Sequence, residues 1–599
     1  MRAVLPALAA LLLAGCASMP SSGEVRKVTD EQRSDADSQV RVFGIPPDPG
    51  ESASDIVTGF LEATTSGETD FSTAKKYLST DAAAKWNPNG KITVYSGSLP
   101  PPTDDGSINR REGNTTVSLY GTKAAEVDTK HAYQPDQQNF ESTFHLVKQN
   151  NEWRIDGLDD GLLLSEPDFQ RLYHSVNMYY FADLGPDATS GDGSTRQTLV
   201  ADPVYLRNQA DPLVSTVSAL LDGPTDWLAP VATTAAPTGV RLYDKGPDQG
   251  VTVDDAQRLR VRLDIGAKQL SRQNCSMLAA QLFATVQAQE SAKLQAADVQ
   301  LADGSVLCSV PGTQNYTSGN PTGASSQQYY ISTDGHRLLA LSDTGSTGTN
   351  VVGPFGADNA DLGSVAVRRD ERAAAGVRTN GRELVVGSLV DDKPFGQPVL
   401  TSNAASAKDG LSAPSWDGFG DLWVADRNPA SPRLLMLRNG AGPAHEVSVP
   451  GLAGRIESLR VSSDGVRIAL VVEENGVMTL QLGRIERGTT QDPDAFSVTG
   501  LRSLTPEGEK VTSVSWAGAS RLVALGTETG GVQQIQYINT DGSSATAQEG
   551  INEATSVAAS EDQTRPLLAS YNGNVYRLMP ADSTWKQVSP AGGSPVYPG

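Results

Sequence analysis

The chain has 599 residues, of which 70 are acidic and 48 basic, giving a formal charge of −22 and a pI near 4.7. Neutralising nucleic-acid phosphates takes a Lys/Arg-rich face, and no basic cluster occurs along this acidic sequence, so DNA and RNA are excluded as principal partners. A single core stops growing near about 250 to 300 residues, so the length implies three or four domains, and 58 glycines with 35 prolines favour many short strands joined by turns.

The N-terminus carries Arg2, an apolar run from Ala3 to Leu13, and then Leu13-Ala14-Gly15-Cys16. The run is far shorter than the ~20 residues a membrane-spanning helix needs, and no later segment reaches that length. It reads as a secretory signal, residues 1–15. Leu13, Ala14, Gly15 and Cys16 resemble a bacterial lipobox, which implies that the Cys16 thiol takes a diacylglycerol and its freed amine an N-palmitoyl chain. Each buried CH₂ contributes about 0.8 kcal/mol, so such chains would hold the protein on the outer face of the cell membrane. Cleavage one residue later, with release of the protein, is the competing reading. Residues 16–50 are polar and without periodicity, as suits a lipidated tether.

Residues 51–168 form the first expected domain. Ile56, Val57, Phe60, Leu61 and Ala63 recur at helical spacing over 53–66 and Gly67 stops the run, while Phe71, Ala74, Tyr77, Leu78 and Ala82 predict a second helix over 71–86. Strands are expected at 91–96, 115–128, 140–148 and 152–158, the last two joined by a turn at Asn150-Asn151. Two helices before a curved antiparallel sheet resemble the NTF2-like cone, and its apolar residues read as core.

Residues 169–312 form the second. Strands are expected at 176–181 and 200–206, and Asp211 is placed to cap a helix that starts at Pro212 and ends at Gly223-Pro224. Further strands near 239–243 and 258–264 precede an amphipathic helix carrying Leu278, Leu282, Phe283 and Val286, and one strand over 297–308 closes the unit. The elements Tyr179-Tyr180-Phe181-Ala182-Asp183 and Leu220-Leu221-Asp222-Gly223-Pro224-Thr225 resemble the GerMN domain. Cys275 and Cys308, 33 residues apart, are a possible disulfide worth about 3 to 4 kcal/mol in the chain-entropy model; two buried free thiols are the alternative.

Residues 313–326 are a Ser/Thr/Gly-rich linker, and from 327 to 599 the chain repeats. Val367, Trp416, Val461, Trp516 and Ala559 occupy equivalent places at intervals of 43 to 55 residues, each followed by a turn and a short apolar strand. That period indicates a β-propeller of five or six blades. Ser462-Ser463-Asp464-Gly465 resembles the TolB-type repeat. A hairpin around Asp334-Gly335 is either an outer strand pair or a sixth blade. The fold class is therefore multidomain, two α+β domains followed by an all-β propeller.

Catalytic signatures are not found: there is no His-Glu-x-x-His, P-loop, G-x-S-x-G or EF-hand loop. The five histidines, His131, His145, His174, His336 and His445, are scattered across all units and read as structural. Asp156, Asp159 and Asp160 form an acidic loop whose spacing matches no ion-binding template, and Trp416 and Trp516, in equal places in two blades, read as core. No catalytic residue, metal ligand or cofactor is assigned.

A lipobox, an NTF2-like unit, a GerMN-like unit and a propeller in this order, with the opening Gly15-Cys16-Ala17-Ser18-Met19-Pro20-Ser21-Ser22-Gly23, resemble the actinobacterial LpqB lipoproteins over essentially the whole chain. The resemblance implies a non-enzymatic accessory of the MtrA/MtrB two-component system that contacts the outer domain of the sensor histidine kinase MtrB and serves cell-envelope homeostasis. A cell-wall glycan-binding lipoprotein is the main alternative. An enzyme acting on wall glycan through a carboxylate pair is a weaker one.

Overall fold

A computed structural model describes residues 43–599 apart from 101–102, 105–112, 187–196, 209–211, 246–249, 265–269, 290–292, 313–326, 343–347, 489–491, 493–494, 507, 529 and 549. The lipobox, Cys16, the linker and the Asp211 cap lie outside the described residues.

The first unit opens with α1 (Ala53–Thr64), where Ser52 and Asp55 form a reciprocal capping box that satisfies two otherwise unpaired N–H groups. Its buried stripe of Ile56, Val57, Phe60 and Ala63 is the one the spacing predicts, although the helix ends at Thr65 and not at Gly67. The second helix expected over 71–86 is split into a 3₁₀ turn at Ala74–Tyr77 and a short α2 (Thr80–Lys85). Leu78 turns extended, and Ser79 starts a new helix by accepting from the Ala82 N–H. Strands β1 (Ile92–Ser96), β2 (Thr103–Asp104), β3 (Asn114–Val127), β4 (Tyr133–Gln149), β5 (Glu152–Gly157) and β6 (Leu162–Ser165) form one sheet in the order β5-β4-β3-β1-β6, with β2 on β3. Asn150 and Asn151 both have positive φ, 52° and 69°, the conformation of a tight type I′ hairpin turn. The parallel strand β6 and α3 (Glu166–Leu172) were not anticipated.

The middle unit holds β7 (Tyr173–Ala182), β8 (Leu199–Arg207), α4 (Pro212–Leu221), β9 (Ala232–Thr233), β10 (Val251–Val253), β11 (Arg258–Arg262), α5 (Arg272–Gln287), β12 (Ala296–Gln300) and β13 (Val306–Pro311). They make two sheets, β8-β7-β9 and β10-β11-β12-β13. Two expectations change here. The strand near 239–243 is only an isolated bridge from Leu242 to Leu263, and the strand over 297–308 is a hairpin, because Asp303-Gly304 turns the chain between β12 and β13. Buried Gln281 and Thr285 of α5 bond the Tyr179 carbonyl and N–H, so this helix completes the hydrogen bonding of β7.

The propeller has six four-stranded blades. Five follow in chain order with innermost strands at Leu362–Val367, Ser415–Trp416, Arg455–Val461, Glu509–Trp516 and Ser556–Ala558. The hairpin around Asp334-Gly335 belongs to the remaining one, which takes Gln327–Ser332, Leu338–Ser342 and Thr349–Asn350 from the start of the repeat region and its innermost strand, Gly592–Val596, from the far end of the chain. That pairing closes the ring, and it decides six blades over five. Separate apolar cores lie between neighbouring blades, such as Trp416 with Val377 and Leu435, and Trp516 with Val471 and Leu480.

Candidate functional site

Trp416 and Trp516 occupy matching positions. Each indole Nε1–H donates at 3.1 Å to the carbonyl of the preceding blade's inner strand, Ala366 for one and Arg460 for the other. The Asp residues of the turns after Trp416 and after Val461 are turn carboxylates: Asp417 accepts from the Phe419 and Asp421 N–H groups, and Asp464 from the Val466 N–H and the Ser462 hydroxyl. Burial pushes the Asp417 carboxyl up, opposed by Arg487, which pairs with it at 2.9 Å from the next blade.

The other residues singled out from sequence stay apart. His131 sits in a left-handed turn where its carbonyl accepts from the Tyr205 N–H, His145 meets Thr116, His174 meets Asn208, His336 lies in the hairpin turn and His445 packs against Phe496. Asp156 accepts from the Ser79 hydroxyl at 2.6 Å and Asp160 from the Asn87 N–H at 2.8 Å, which are structural uses. No group of three metal-ligating side chains occurs among the described residues. Cys275, in the first turn of α5, and Cys308, in β13, are joined by a disulfide with Cα atoms 6.0 Å apart, which fastens the helix to the sheet edge.

Sequence reading missed the junction between the middle unit and the propeller. Val466 of the Ser-Ser-Asp-Gly turn is part of the middle unit's core, with Phe419 packed beside it. Arg467 is about 3% exposed; it pairs with Asp464 at 2.6 Å and donates to the Ala201 carbonyl of β8 and to the Ala519 carbonyl of the next blade. Trp227 reaches the other way. Its Nε1–H donates to the Gly500 carbonyl at 2.8 Å, Arg502 lies 3.9 Å from its ring centre, and Arg484 donates to its carbonyl. Burial lowers the Arg502 pKa to about 10 and raises that of Asp202 to about 6, in the latter case against the two hydrogen bonds from Thr225. The first unit joins through Arg207 of β8, which donates to the Thr64 and Ser66 carbonyls and lies 4.5 Å over Phe71. Strand β8 is thus buried on both faces from Leu199 to Leu206 because all three units meet on it.

Two cavities accompany this arrangement. One of about 150 Å³ lies between α1 and the first sheet, floored by Phe60, Phe144 and Leu162; its Lys123 is neutralised by Asp136 at 2.7 Å and Glu126. The other, of about 80 Å³, is the axial channel of the propeller, walled by the inner strands of all six blades. Nothing in the sequence patterning marks the first; the second follows from the repeat once the ring is closed.

Known families match the first unit and the propeller. Residues 46–170 match the family described as the N-terminal domain of lipoprotein LpqB, and residues 336–598 the lipoprotein LpqB β-propeller domain. Lipoprotein LpqB of Streptomyces avermitilis is 44% identical over 98% of this chain and 97% of its own, and that of Thermobifida fusca 28% identical over 100% and 98%. Among solved structures, TolB from Acinetobacter baumannii is similar at a TM-score of 0.35 and 12% identity, covering 52% of this chain and 84% of its own. No helix among the described residues is long and apolar enough to cross a membrane. With both family domains matched in order and a relative of 44% identity aligned over nearly the full length, the chain belongs to the LpqB lipoprotein family, whose name marks membrane-anchored proteins of the cell envelope.

Proposed function

We propose that this protein is an extracytoplasmic accessory of an MtrA/MtrB-type two-component system, anchored through lipidated Cys16 and contacting the outer domain of the sensor kinase MtrB in the service of envelope homeostasis. The observation that carries the reading is the junction built on Arg467, Trp227 and Arg207. It packs three units against one another, so a binding face on any of them is held in a fixed relation to the tether that precedes the first unit. Membership of the family and the leader ending in Leu13-Ala14-Gly15-Cys16 support the anchor. We read the activity as binding rather than catalysis.

In-cell crosslinking of the full-length protein, followed by identification of its partners, tests the proposal, with a Cys16→Ala form as the control for anchoring. Recovery of a sensor kinase from the wild type, with altered kinase output when the gene is deleted, is the expected result. Unchanged output and no kinase among the crosslinked partners would overturn it. Sedimentation with purified peptidoglycan without turnover would favour glycan binding, and turnover of wall fragments an enzyme.

A further inference from the structure

The cavity of the first unit, about 150 Å³, opens between α1 and the sheet. Its floor is rigid: the Phe60 ring is held edge-on by Trp86 and Phe144, with ring centres 5.2 and 6.2 Å away, and all three are buried. Phe140 lies against β3 where Gly121 leaves room for it; a Cβ there would stand 2.7 Å from the ring. Short side chains keep the space open. Ser142 pairs with buried Leu119 across the sheet, so an apolar side chain of ordinary size at that position would close it. The hydroxyls of Ser142 and Thr93 line the wall and have no hydrogen-bond partner among the described residues. An apolar cavity of this size takes a group as large as a benzene ring.

The loop from Leu158 to Gly161 forms one side of the mouth. Asp160 accepts from the Asn87 N–H at 2.8 Å, the Gly161 N–H donates to the Asn87 carbonyl at 2.8 Å, and the Leu162 N–H to the Lys91 carbonyl at 2.8 Å. Gly161 has a φ of 100°, and a Cβ on it would stand 1.9 Å from the Lys91 carbonyl oxygen, so the loop is clamped to the start of β1. That rim is fixed before any ligand arrives. Four carboxylates and two amines line the cavity. Both amines are already paired: Lys123 with Asp136 at 2.7 Å and Glu126 at 3.5 Å, and Lys91 with the same Glu126 at 3.5 Å. The hydrogen bond to Asp136 raises the Lys123 pKa, which keeps it an ammonium. Glu141, Asp159 and Asp160 are exposed at the mouth and have no paired cation among the described residues.

We propose that this cavity binds a small organic cation, an ammonium attached to an apolar group about the size of an aromatic ring. The ring lies on the floor of Phe60, Phe144 and Leu162, and the ammonium stays at the mouth among Glu141, Asp159 and Asp160. The Ser142 and Thr93 hydroxyls supply neutral acceptors along the wall. An anion of the same shape would meet three like charges and no free cation. The cavity makes the site, and the carboxylates decide only the charge of what enters it. The site is independent of any contact with a kinase.

Calorimetric titration of the full-length protein in phosphatidylcholine nanodiscs, with empty nanodiscs as the reference, tests it with four probes: benzylamine, benzyl alcohol, benzoate and methylamine. The three ring compounds have nearly one shape and differ in charge at pH 7. Saturable binding of benzylamine is expected, roughly ten-fold or more tighter than benzoate, with benzyl alcohol between them and no binding of methylamine. Ser142→Leu fills the space and should abolish benzylamine binding, with a thermal midpoint equal to or above the wild type's. The double variant Glu141→Gln/Asp159→Asn alters only exposed groups and so keeps the fold; it should bring benzylamine down to the affinity of benzyl alcohol and leave the alcohol unchanged. Absent benzylamine binding, benzoate as tight as benzylamine, or a double variant that keeps the preference for the amine would each overturn the proposal. So would unchanged benzylamine affinity in folded Ser142→Leu.

Discussion

Arg467→Met isolates the contact that ties the propeller to the middle unit. The substitution keeps most of the aliphatic bulk and removes the two N–H···O bonds to Asp464, at 2.6 and 2.9 Å, and the donors to the Ala201 and Ala519 carbonyls. Removing one partner of a buried pair costs about 3 to 5 kcal/mol, since the remaining charge is stranded. Asp464 keeps the Ser462 hydroxyl and the Val466 N–H, at 2.5 and 2.9 Å, which puts the expected loss at the lower end, about 3 kcal/mol. The double variant Asp464→Asn/Arg467→Met leaves no stranded carboxylate and should lose about 1 to 2 kcal/mol, less than the single one, because the two sites are coupled. Urea unfolding at pH 7 supplies these values, and hydrogen exchange of β8 reports the junction directly. Exchange over Leu199–Arg207 should rise in Arg467→Met. A loss below about 1 kcal/mol, or unchanged exchange in β8, would refute the reasoning.

Three further outcomes follow from the geometry. Asp202 has its carboxyl raised to about 6 by burial, above the ~3.9 of an unfolded chain, so the stability its neutral form contributes is full below about pH 4 and is lost as pH rises through 6. The stability of Asp202→Asn relative to wild type should therefore rise by about 2 to 3 kcal/mol between pH 4 and 7, and a pH-independent difference would contradict this. Replacing Cys275 and Cys308 by Ala should cost about 3 to 4 kcal/mol in unfolding of the middle unit, and reductant should bring the wild type down to the same level; alkylation of both cysteines in denatured, unreduced protein would count against the bond. Trp416→Phe and Trp516→Phe each strand a buried carbonyl, so each should lower stability by about 1 to 2 kcal/mol; one costly and one neutral variant would show that the two positions are not equivalent.

Features written in short windows were legible without coordinates. The apolar stripe of α1, the Asn150-Asn151 turn and the inner strands behind Val367, Trp416, Val461 and Trp516 all occur where the spacing puts them. The helix over 71–86 failed for a local reason too, since the Ser79 cap outcompetes the apolar periodicity that runs through it. The junction was illegible because its partners are remote: Trp227 and Gly500 are 273 positions apart, and Arg467 and Ala201 266.

By itself, then, the sequence determined the order of units, the β-repeat and the acidic balance, all of which depend on local pattern or on composition. The tertiary structure alone decided that Gly592–Val596 joins Gln327–Ser332 to make six blades, that Cys275 meets Cys308, and that three units share β8. Those are contacts between distant segments, in which burial and hydrogen bonding outweigh the entropy of closing long loops, and no periodicity records which segments will meet.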